Sequence, residues 1–251
     1  MPTHKLMYLL VALLSAMILS PTSAGAQRSS IGVLVGVDLA SRTVRPENKE
    51  ASVKEALSEA TQLTVRPSFG VDYERRITSL FLFNVQLRYQ RAGFEYDYAQ
   101  AGLDPITSEP YVGPIREATF DYQYLALPLG ITETWGSGDW TYYAQEFIIP
   151  KYTLGATTTP TYAPDFVTAN NPPAELDVER VQDLQVSVRL SIGVERALND
   201  ILRLRLGVSG YYNLTRPQEN QGVSDHLYGF GPELALLRVF GDAVRADDAY
   251  Y

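Results

Sequence analysis

Past residue 26 the chain has one histidine, His226, two residues from Ser224 with Asp225 between them. Side chains alternate along an extended strand, so Ser224 and His226 would share a face, the arrangement in which an imidazole takes a proton from an attacking serine hydroxyl. The reaction such a pair could serve is ester cleavage. No oxyanion donor and no orienting acid is identifiable around it, so a solvated loop end is the expectation and no catalytic residue is assigned.

The other chemistries have even less to work with. Asp104, Glu109, Asp165, Glu175, Asp177 and Glu179 crowd two polar stretches, but without the fixed spacing of a calcium loop. There are no cysteines, which removes disulfides, thiolate nucleophiles and cysteine metal sites. The glycines stand singly rather than in a phosphate-binding loop, and no histidine-based zinc motif occurs. No cofactor-binding residue and no metal ligand is therefore predicted. A formal charge of -8 also makes nucleic acid an unsuitable partner.

The elements that would carry these residues are strands. Ile31, Val33, Val35, Val37 and Leu39 alternate with Gly32, Gly36, Asp38 and Ala40, with Leu34 as an apolar intruder. A second segment sets Leu63, Val65, Phe69, Val71 and Tyr73 against Thr64, Arg66, Ser68, Asp72 and Glu74. A third sets Phe81, Phe83, Val85, Leu87 and Tyr89 against Asn84, Gln86, Arg88 and Gln90. It then changes phase to Ala92, Phe94, Tyr96 and Tyr98, which predicts a β-bulge near Gln90 and Arg91. The fourth, residues 120–134, shows a similar change after Tyr124, and the fifth, residues 140–154, is the least regular. Three more follow, centred on Val188, Leu206 and Leu234.

Residues 74–79, 135–139 and 196–200 are tight links, whereas residues 44–62, 100–117, 156–180 and 216–225 are long and polar. Regular exchange of short and long connections, with one greasy and one charged face per strand, predicts an all-β fold. It is an eight-stranded antiparallel up-and-down transmembrane β-barrel, with short periplasmic turns and long extracellular loops. The main rival is a soluble periplasmic barrel or sandwich with its apolar faces inward.

The first 26 residues read as a cleavable signal peptide: Lys5, an apolar run from Leu6 to Leu19, and the small residues Ala24, Gly25 and Ala26. Residues 27–240 would form the barrel and residues 241–251 an acidic tail. The expected location is the outer membrane, with outer-membrane lipid as the first partner. Tyr73, Tyr89, Tyr122, Tyr124, Trp135, Trp140, Tyr212 and Tyr228 are candidates for the interfacial aromatic girdles.

An eight-stranded barrel is just wide enough to be filled by its own side chains. Asp38, Arg66, Asp72, Glu74, Arg88, Arg189, Glu195, Arg203, Arg205 and Glu233 would point inward and pair across the lumen, because an unpaired buried charge is costly.

Tyr124-Leu125-Ala126-Leu127-Pro128-Leu129 resembles the Tyr-Leu-x-hydrophobic-Pro-Leu signature of the PorT-like outer-membrane β-barrel family. The resemblance extends loosely from Ile31 to Phe240. It implies a non-enzymatic barrel, structural or anchoring, with envelope or secretion proteins as partners. The continuation past Phe240 departs from barrels that end on an aromatic residue. Two further functions stay open: a small channel or lipid-binding transport barrel, and an outer-membrane lipid hydrolase using Ser224 and His226, similar to lipid A deacylase barrels.

Overall fold

The computed structural model describes residues 29–46, 51–136, 139–166, 172–218 and 223–240. The segment read as a signal peptide and the acidic tail lie outside them. Eight antiparallel strands form a meander: β1 (Ser29–Pro46), β2 (Thr64–Arg76), β3 (Phe81–Asp97), β4 in two pieces (Ile115–Ala126 and Leu129–Trp135), β5 (Trp140–Tyr162), β6 (Leu184–Ala197), β7 (Leu202–Asn213) and β8 (Val223–Phe240). Each pairs with the next, and β8 closes on β1 from Ser29↔Phe240 to Pro46↔Val223. Closure pairs the first strand with the last, as a sheet in lipid requires.

Short turns join β2 to β3, β4 to β5 and β6 to β7, all at the end that holds Ser29 and Phe240. Local polar groups close two of them. Thr78 Oγ1 accepts from the amides of Leu80 and Phe81, and Asn199 Oδ1 accepts from those of Ile201 and Leu202. The long connections share the opposite, extracellular end.

Ile31, Val33, Val35, Phe69, Val71, Leu190, Ile192, Leu206 and Val208 are exposed on the outer surface, while the alternate residues are buried inside. In a soluble fold this band would lie inward; here it is the surface offered to lipid. At the short-turn end Trp135 stacks on Tyr142 and Arg196 lies over Trp140, as expected at a membrane interface.

Three expectations are corrected. First, β3 has no bulge at Gln90 and Arg91, since its register with β4 runs unbroken from Arg88↔Ala126 to Asp97↔Glu117. Ala92, Phe94 and Tyr96 are buried on the same inward face as Arg88 and Gln90. The apparent change of phase is a change in what fills the interior. Second, Phe120, Tyr122 and Tyr124 also point inward and are buried, so Tyr122 and Tyr124 are not girdle residues. Inward residues of β4 stay on even positions through Thr132, across a break at Leu127 and Pro128 where proline cannot donate to the ladder. Third, the region beyond the membrane is structured. β5 reaches Tyr162, well beyond the roughly 9–11 residues that cross a bilayer, and helix α1 (Ala51–Glu59) occupies the first long connection. A one-turn helix, α2 (Tyr98–Ala101), follows β3, capped by Asp97 and by Gly102 in the left-handed conformation.

Candidate functional site

Alternation aims a charged or polar side chain into the bore from every strand of the lower, periplasmic half. Arg205 on β7 is the hub there. Its guanidinium donates to both carboxylate oxygens of Glu74 on β2, at 2.6 and 3.1 Å, and to Glu195 on β6 at 2.7 Å. Asp72 lies 3.7 Å away, and Arg203 holds the other Glu195 oxygen at 2.6 Å. β2 and β7 are not neighbours in the ring, so the Arg205–Glu74 pair ties opposite parts of the wall.

A neutral chain completes this layer: Gln145 donates to Thr132, Thr132 to Asn84, and Asn84 to Glu74. Higher up, Arg88 on β3 and Arg189 on β6 share Glu233 on β8, at 2.6 and 3.2 Å, and Arg189 is 3.7 Å from Asp38 on β1. Each of these ions except the partly exposed Arg203 is desolvated, and each has an opposite charge within ion-pair distance, the condition under which buried charges are tolerated.

The glycines between these residues give space to inward aromatic rings. A Cβ on Gly193 or Gly207 would meet the ring or hydroxyl of Tyr143, and one on Gly229 would meet Tyr211. Tyr143 lies against both glycines and beneath Arg205, whose guanidinium is 4.7 Å from the ring centre.

Above the ionic layers the interior becomes aromatic. Phe94 and Phe120 stack at 4.6 Å, and Tyr122 and Tyr124 lie nearly parallel beside them. Tyr96, Tyr98, Tyr211, Val44 and Leu227 join the cluster, and Leu57 of α1 and Ala60 just after it close it. Two cations are embedded in it. Lys151 donates to Asn213 at 2.7 Å and sits 4.2 Å from the Tyr124 ring centre. Arg42 lies 4.1 Å over Phe94, pairs with Asp225 at 3.4 Å, and donates to the carbonyl of Pro105 in the loop above. Outside the membrane, burial raises the Tyr98 phenol above its ordinary pKa, so it stays neutral in this packed cap.

Of the ten charges assigned to the lumen from alternation, nine are buried, and Arg203 is partly exposed at the mouth while still paired with Glu195. Lys151, Arg42, Asp225, Asp121 and Arg91 were not assigned. Arg66 leaves its layer to approach Asp121 at 3.4 Å, and Asp121 also receives Arg91 from β3 at 2.6 Å. The Lys151 signal was available: counting every second residue from Tyr143 reaches it.

The candidate nucleophile pair is not brought together with an acid. The ring of His226 stacks on Tyr212, and its Nδ1 donates to the Asn213 carbonyl at 2.9 Å. Asp225 faces the interior and Arg42 instead. Ser224 pairs with Arg45 in the ladder, and its side chain lies outside the described residues. No group of three or more metal-ligating side chains occurs among the described residues.

A closed eight-stranded ring, lipid-facing outside and filled inside, defines an outer-membrane barrel. The chain belongs to the outer membrane protein beta-barrel domain family, whose model matches residues 21–216. Among solved structures it is similar to Neisserial surface protein A, with 10% identity over 86% of this chain and 100% of that one and a TM-score of 0.45. OprG from Pseudomonas aeruginosa aligns with 9% identity over 87% and 97% of the two chains and a TM-score of 0.46. Ail of Yersinia pestis aligns with 11% identity over 84% and 99%, at 0.37. None of the curated proteins matches this sequence.

Proposed function

We propose that this chain is a non-enzymatic outer-membrane barrel of the PorT-like kind that anchors or stabilises an envelope or secretion assembly. One observation carries the reading: the bore is filled along its length, by ion pairs below and aromatic rings above, which leaves the outside of the barrel and its loops to act. The β3–β4 connection suits such a role. Tyr98 packs on Tyr111, Tyr96 donates to the Leu103 carbonyl, and Leu103 bridges to Pro110, so the loop is held while Val112 stands 98% exposed at its tip.

A photo-crosslinking residue placed at Val112 in intact cells tests this, with Phe69 on the lipid-facing wall as the control. Formation of one discrete protein adduct from Val112, absent from Phe69, is the expected result. Adducts to lipid alone at both positions would contradict the reading.

A further inference from the structure

The lipid-facing wall has one feature that a simple barrel does not need. β5 alternates outward from Tyr142 through Ala144 and Ile148 to Tyr152, and Glu146 stands in that row, exposed. Its ladder partners are Ile131 on β4 and Leu190 on β6, both exposed and apolar. Tyr142, stacked on Trp135 at the short-turn interface, lies four residues below it, which places the carboxyl about 10 Å above that interface in a band about 25 Å tall.

The same wall is indented. Just past the break in β4, Leu129, Ile131, Ile148 and Leu190 line a groove of about 490 Å³ with Glu146 among them. Among the described residues no ion pair or hydrogen bond reaches the Glu146 side chain. Of the other carboxylates on the outward row of β4, Glu133 is two residues from Trp135 and so belongs to the interface, and Asp121 and Glu117 lie toward the extracellular end, Asp121 paired with Arg91.

A carboxylate at this depth is unfavourable against hydrocarbon, and carboxylates in such positions usually have a partner. We propose that the groove is a docking seat for a lipid-embedded segment of another protein, carrying a single lysine or arginine at the depth of Glu146. The inference rests on the anchoring reading and names the surface by which a partner is held.

A second copy would not satisfy the charge. Two copies side by side in one membrane keep every residue at its own depth. Among the described residues the outward strand cations are Arg75, Arg196 and Arg238 at the short-turn end, and Arg45, Arg116 and Arg91 toward the opposite end, Arg91 being paired with Asp121. None stands level with Glu146.

Both tryptophans, Trp135 and Trp140, lie on this wall and can report on the groove. The test uses the full chain folded in phosphatidylcholine vesicles. The probes are two dansyl-labelled, leucine-rich spanning peptides, one with a central lysine and one with leucine there. We expect tryptophan-to-dansyl transfer to show at least tenfold tighter association of the lysine peptide, lost in both Glu146→Gln and Glu146→Leu, with folding of each variant checked by the heat-dependent gel shift. Equal transfer to both peptides, or retention in Glu146→Leu, overturns the proposal, as does self-association of labelled copies that depends on Glu146. The Val112 crosslinking experiment is independent of these outcomes, so the seat can fail while the anchoring reading stands.

Discussion

The lower and upper halves of the bore solve one packing problem in opposite ways. Below, side chains of both signs meet across the barrel, with Arg205, Arg88 and Arg189 each holding a carboxylate from another strand. Above, the same inward positions carry Phe94, Phe120, Tyr122 and Tyr124, and the filling is dispersion and ring stacking. The lower half depends on every partner being present, because an ion left alone in a dry interior costs far more than the pair contributes. The upper half depends on volume and tolerates polar change poorly but shape change in part.

The sharpest way to break the lower half is Arg205→Ala. It strands Glu74 and Asp72, while Glu195 keeps Arg203, and should destabilise the folded barrel by about 3–5 kcal/mol in urea titrations in vesicles. Arg205→Met combined with Glu74→Gln and Asp72→Asn should recover most of that loss, because the stranded charges go with it. No recovery would mean that the stranded carboxylates are not the source of the loss.

In the upper half, Phe94→Ala should cost about 3 kcal/mol by leaving a cavity against Phe120, with little dependence on salt. A loss comparable to that of Arg205→Ala and strongly salt-dependent would erase the distinction between the halves. A smaller effect is expected at the boundary. Gly207→Ala should cost about 1–3 kcal/mol, because the new methyl group meets the Tyr143 hydroxyl, and Tyr143→Phe in the same chain should relieve part of it.

The smallest effect belongs to the outer rim. Ser224→Ala and His226→Ala should each change stability by less than about 0.5 kcal/mol and leave lipid-ester turnover at the level of empty vesicles. Ester cleavage by the parent chain that either substitution abolishes would revive the hydrolase reading.

The contrast between the halves also explains what the sequence made legible. Where inward residues are charged and outward ones apolar, as in β2 and β6, alternation alone gave both the strand and its orientation. In β3 and β4 the outer end carries aromatic residues inward, so both faces look apolar and the pattern reads as a shift of phase. β5 looked irregular for the same reason in reverse: Tyr143, Phe147 and Ile149 are inside while Glu146 is outside. Helix α1 was hidden in a polar stretch because only Leu57 and Ala60 are fully buried by it and the residue after it. The Ser224 and His226 pair was legible as a pattern, but the stacking on Tyr212 and the inward turn of Asp225 depend on tertiary neighbours.

The filled bore is the claim on which the rest stands, and single-channel recording of the purified barrel in planar bilayers tests it most directly. No persistent current steps above those of the bare bilayer are predicted, for the parent chain and for Phe94→Ala alike. Sustained, reproducible conductance from the parent chain would show that ions pass both the ionic layers and the aromatic cap, and would contradict the account.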